Sequence, residues 1–120
     1  MTPLGIHHVS INVTDTAAAV EFYTSVLGFT VRHDRPKFPF AGAWLNLGGQ
    51  QVHLLEIDMP DDRGQHFAVA VADIESAVDE IRAWGITVSD PKPVGSALQS
   101  FLHDPSGNLV ELSQASRAIE

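Results

Sequence analysis

One stretch of this chain is written twice. HVSINVTD at residues 8–15 returns as HFAVAVAD at residues 66–73, and the agreement runs well past those positions. A shift of 58 residues lays His8 on His66, Val13 on Val71, Asp15 on Asp73, Ala19 on Ala77 and Val20 on Val78. Between LGFTV (27–31) and WGITV (84–88) the shift is 57, and between GQQVHL (49–54) and GNLVEL (107–112) it is 58 again. Self-similarity at such a period marks one supersecondary unit used twice. The two copies cover about residues 5–58 and 65–114, joined by MPDDRGQ. With 120 residues and 44% hydrophobic content there is material for one compact core, so we expect a single domain over 1–120 made of two modules.

Each module reads as strand, helix, then strands. In HVSINV the apolar Val9, Ile11 and Val13 alternate with His8, Ser10 and Asn12, the period of a strand with one buried face. In HFAVAV the apolar set is Phe67, Val69 and Val71, and the second face carries His66, Ala68 and Ala70, small and polar residues that suggest a hollow. Asp15 and Asp73 stand where a helix N-cap belongs. Ala19, Val20, Tyr23, Val26 and Leu27 then recur at helical spacing in one copy, and Ile74, Ala77, Val78 and Ile81 in the other. Gly28 and Gly85 supply the stops. FTVRHD and ITVSD read as short second strands, and AWLNLG with QQVHLLEI, and LQSFLHD with NLVELSQ, as hairpins turning at GG and DPSG. The expected fold class is α+β, with two βαβββ modules.

Charge and composition remove several functions. Fifteen acidic side chains against seven basic ones give a net charge of −8 without a basic cluster, which excludes nucleic acid as a partner. No run approaches the ~20 apolar residues that span a bilayer, and no basic-then-apolar leader opens the chain, so a soluble cytoplasmic protein without a membrane partner is expected. With no cysteine, a metal would have to be held by nitrogen and oxygen.

The repeat also selects chemistry. In VHLLEI, His53 shares a strand face with Leu55 and Ile57, and in VELSQ, Glu111 goes with Ser113. His53 and Glu111 are repeat equivalents, as are His8 and His66: 53 − 8 and 111 − 66 are both 45. Three imidazoles and one carboxylate at two related pairs of stations match divalent-metal coordination. The plainer alternative is a hydrogen-bonded cluster lining a cavity without metal.

HHVSINVTDTAAAVEFYTSVLGF, HFAVAVAD and DPSGNLVEL together resemble the signature segments of the vicinal oxygen chelate superfamily, which includes glyoxalases, epimerases, extradiol dioxygenases, thiol transferases and bleomycin-binding proteins. The resemblance covers almost the whole chain. It implies paired βαβββ modules curling into a cavity around a divalent ion (Zn, Ni, Mn, Co or Fe(II)), with His8, His53, His66 and Glu111 at the ligand stations. It implies a small oxygenated substrate and a homodimer. Glyoxalase I has glutamate at the station of His53, and the dioxygenases use the triad matching His8, His66 and Glu111. The expected function is a metal-dependent enzyme of glyoxalase type, an isomerase, epimerase or lyase, with Glu111 as catalytic base. An Fe(II) extradiol-type dioxygenase and a drug- or metabolite-binding resistance protein are the alternatives.

Other polar residues read as less informative. His7 is placed by strand alternation on the face opposite His8, and Glu56 is out of phase with His53. His33, in the polar run RHDRPK, and His103, beside DPSG, read as surface residues. Phe38 and Phe40 in PKFPF, with Trp44, read as packing residues ahead of an apolar lid over a substrate.

Overall fold

A computed structural model describes residues 1–115. The chain divides into two compact units within the MPDDRGQ stretch, the first ending at Asp61 and the second starting at Asp62. The first unit runs β1 (His8–Asn12), α1 (Thr16–Glu21), a π-helical turn (Phe22–Val26), β2 (Thr30–Val31), β3 (Gly42–Leu47) and β4 (Gln50–Leu55). The second runs β5 (His66–Ala70), α2 (Ile74–Ala83), β6 (Lys92–Val94), β7 (Ala97–His103) and β8 (Leu109–Gln114). The class is α+β, and each unit is βαβββ.

Both units have the same mixed sheet, in the order β1-β4-β3-β2 and β5-β8-β7-β6. The first strand of each lies parallel to the last, which requires the intervening helix to cross over one face. That face carries the apolar half of the alternation. Leu45, Val52 and Leu54 are buried in the first unit together with Ala19, Phe22 and Tyr23, and Val69, Leu102, Val110 and Leu112 in the second together with Ile74, Val78 and Ile81; α1 contacts β3 and β4, and α2 contacts β7 and β8. The opposite face carries the polar stations.

Local chemistry starts and ends the helices as expected. The Asp15 carboxylate accepts from the Ala18 N–H and that of Asp73 from the Ser76 N–H, both at 3.1 Å. Gly28 and Gly85 follow the helices at φ of +78° and +80°, where a Cβ would be strained.

The two slips in the repeat have structural causes. The first copy has one extra residue between Val20 and Leu27, and there the helix widens into the π-helical turn, with Leu27 N–H reaching Phe22 O at 3.3 Å. A single inserted residue is absorbed in this way without ending a helix. The second slip lies in the β7–β8 hairpin. Leu47 pairs directly with Gln50 across Gly48–Gly49, whereas Asp104 and Asn108 enclose one residue more. Asp104 holds the longer turn by accepting from the Ser106 and Asn108 backbone N–H groups, both at 2.9 Å.

The second strand of the second module departs from expectation. ITVSD does not form a strand; β6 falls on Lys92–Val94. Residues 86–90 make one backbone bond to β7, from Ser89 N–H to Phe101 O at 3.0 Å, while the Val88 carbonyl is taken by the Arg82 guanidinium at 2.7 Å. Pro91 then has no N–H for a ladder. In the first module FTVRHD shortens to Thr30–Val31.

Candidate functional site

Strand register gathers the four stations on the polar faces as two pairs. In the first unit Ser10 stands opposite His53 and His8 opposite Gln51, so His8 and His53 are diagonal neighbours. Their rings stack at 4.1 Å between centroids, 14° from parallel. Trp44, directly across β3 from His53, stacks on its other face at 4.2 Å. His53 is thus an imidazole held between two rings, with Nε2 and Gln51 Oε1 2.9 Å apart. Burial holds its pKa below the ordinary histidine value, and neighbouring His8, His7 and Arg32 push the same way against Asp34.

The second unit repeats the diagonal. Ala68 stands opposite Glu111, and His66 reaches over to place Nε2 3.0 Å from Glu111 Oε1. Phe101, across β7 from Glu111 as Trp44 is from His53, meets the His66 ring edge-on at 5.6 Å. His66 Nδ1 lies 2.8 Å from Gly64 O, and a carbonyl can only accept, so Nδ1 carries a proton. The neutral ring therefore aims its Nε2 lone pair at a carboxylate oxygen. Two acceptors at 3.0 Å need a cation between them. Without metal that cation is a proton, and the Gly64 bond and the Glu111 contact accordingly raise the His66 pKa. A divalent ion fits the same gap, since two donors ~2.1 Å from one ion and at right angles stand ~3.0 Å apart.

His53 and Glu111 are both only 7% exposed, matching their equivalence in the repeat. Among the described residues no three His, Asp or Glu side chains stand close enough together to hold a metal ion, so each unit presents a pair. The donor set is nitrogen and oxygen, which suits a divalent cation of borderline or hard character.

The first unit has a cavity of about 580 Å³ over its polar face. It is lined by His7, His8, Gln51 and His53, by Trp44, Phe38 and Phe40, and by Arg32, Asp34 and Arg35. Three expectations change here. His7 precedes β1, so strand alternation does not govern it: its Nδ1 lies 2.9 Å from His8 Nδ1 and it lines the cavity. Phe38, Phe40 and Trp44, expected to pack in the core or at an interface, line the cavity rather than the core. From the polar run RHDRPK, Arg32, Asp34 and Arg35 face the cavity, while His33 is exposed, as is His103. Glu56 accepts from the Thr16 N–H at 2.9 Å, at the start of α1, and is no ligand of the His8–His53 pair. Gln51 was visible in principle, two residues before His53 on one strand face. Arg32 and Arg35 had no such signal, because a loop decides where they point.

The Glyoxalase/Bleomycin resistance protein/Dioxygenase superfamily model matches residues 5–112. A "Probable lactoylglutathione lyase" of Vibrio cholerae is 31% identical, over 94% of this chain and 92% of that protein. Lactoylglutathione lyase GLX1 of Arabidopsis thaliana is 30% identical over 89% of this chain, which spans 43% of that longer protein. Among solved structures, lactoylglutathione lyase from Agrobacterium tumefaciens superimposes with a TM-score of 0.77 at 22% identity, covering 95% of this chain and 96% of that one, a likeness of fold.

Proposed function

The chain belongs to the glyoxalase/bleomycin resistance protein/dioxygenase superfamily, and from that premise we propose that it is a divalent-metal-dependent enzyme of glyoxalase type, an isomerase, epimerase or lyase for a small oxygenated substrate. The observation that carries this reading is the His66–Glu111 pair, two acceptors 3.0 Å apart with the imidazole tautomer set by Gly64. Such an outer hydrogen bond to Nδ1 is how metal-ligating histidines are oriented. His8 and His53 are the matching pair, and the four together are the proposed ligand set. The ion, one of Zn, Ni, Mn, Co or Fe(II), would draw negative charge onto the substrate oxygens as a Lewis acid.

Glu111 does the proton chemistry. As the one carboxylate of the set, it takes a proton from the carbon beside the oxygenated centre and returns it to that carbon or its neighbour. Its burial keeps bulk water from competing for that proton. We also propose that the protein is a homodimer with two equivalent sites, which light scattering would refute by showing a monomer at micromolar concentration.

The test uses protein loaded in turn with each of the five ions. The first substrate is the hemithioacetal of glutathione and methylglyoxal, the reaction suggested by relatives named lactoylglutathione lyase. Glu111→Gln should weaken metal binding recoverably, but leave proton transfer down about 100- to 10,000-fold even at saturating metal. His33→Gln, at an exposed position, is the control. Full activity of metal-saturated Glu111→Gln would exclude the proton relay, and failure to bind any of the five ions would exclude metal dependence.

A further inference from the structure

We propose that the cavity of the first module takes a monoanionic carboxylate with a flat apolar body, anchored by Arg35. This deepens the proposed function by adding a substrate class to that site.

The two arginines of the cavity are not equivalent. Arg32 is committed: Nε and Nη2 fork onto the Asp34 carboxylate at 3.0 and 2.7 Å, and Nη1 donates to Asn46 Oδ1 at 2.8 Å. Among the described residues Arg35 has no carboxylate partner; Nη2 donates to Phe40 O at 3.0 Å, which leaves Nε and Nη1 uncommitted there. Its guanidinium carbon sits 4.9 Å from the centre of the Phe38 ring and 5.8 Å from that of Phe40, contacts that hold a cation flat.

A part-buried, planar cation with open donors is the partner of a carboxylate, which it can grip with two parallel bonds. The chain's net charge of −8 disfavours non-specific anion binding over most of the surface. One uncompensated guanidinium matches one negative charge, because Asp34 already neutralises Arg32. The rest of the substrate meets Phe38, Phe40 and Trp44, whose ring faces favour a flat apolar body over a sugar.

The experiment measures binding by calorimetry on the full chain with chelator present, so that its failure is independent of metal loading and proton transfer. The probes are naphthalene-2-carboxylate, the neutral naphthalene-2-carboxamide and 2-naphthyl phosphate. The carboxylate should bind at least about 10-fold more tightly than the amide. Arg35→Gln should abolish that preference and leave amide binding unchanged. Lys37→Gln, which removes an exposed charge from the same loop outside the cavity, should keep the preference. Equal binding of acid and amide, or a preference that survives Arg35→Gln, overturns the proposal. Tighter binding of the phosphate overturns the monoanion assignment. Should circular dichroism show Arg35→Gln unfolded, wild type decides by salt: acid binding weakens as salt rises while amide binding holds, and a salt-independent preference overturns the role of the charge.

Discussion

Replacing Asp104 by alanine should destabilise the second module out of proportion to the size of the change. Asp104 is 5% exposed, and its carboxylate closes the β7–β8 turn by accepting from the backbone N–H groups of Ser106 and Asn108 and from Asn108 Nδ2, each at 2.9 Å. Bonds to a charged acceptor contribute about 1.5–3 kcal/mol each, but these share one group and are not additive. Pro105 and Gly107 are exposed, so water can reach part of what alanine would orphan. The expected loss is about 2–4 kcal/mol, or a fall in Tm of roughly 6–20 °C for a domain of this size. Asp104→Asn keeps one acceptor oxygen and should recover about half. The turn also sets the register that stands Phe101 opposite Glu111, so the His66 imidazole resonances should shift in the alanine variant. Urea and thermal melts followed by circular dichroism measure the loss. A cost below about 1 kcal/mol, or an asparagine variant as unstable as the alanine one, would refute the account of the turn.

His53→Ala removes a ring stacked on both faces, which should cost the metal-free protein about 1–3 kcal/mol and cost more than that in metal-binding free energy; unchanged metal affinity would favour the three-residue set His8, His66 and Glu111. NMR titration of chelated protein should find His66 titrating above 6.5 and His53 below it. The signs differ: His66 adds stability that is full below the unfolded pKa and lost as pH rises through its folded value, whereas unprotonated His53 subtracts stability as pH falls below 6.5. Either histidine on the other side of 6.5 would contradict the environment described. At Gly42 a Cβ would collide with the Leu54 carbonyl and come within 3.0 Å of Arg35 Nη2. Gly42→Ala should therefore lose about 1–3 kcal/mol in a urea melt, and stability equal to wild type would show that β3 can shift.

Spacing along one chain was enough to read most of the regular elements. The two modules, the helix caps, the buried faces and the stations of His8, His53, His66 and Glu111 follow from strand and helix periods and from the repeat, because a residue's face is set by its neighbours in sequence. Even the one-residue slips were visible, though only the structure shows one as a π-helical turn and the other as a longer hairpin. Tertiary structure decided where side chains go once regular backbone ends. His7 lies before its strand and turns towards His8; PKFPF folds over the sheet; β6 moves past Pro91 because Arg82 takes the Val88 carbonyl. The contacts made around each station also give the equivalent pairs different characters. Trp44 and Gln51 hold His53 as a buried, stacked imidazole, while Gly64 turns His66 so that its lone pair meets Glu111.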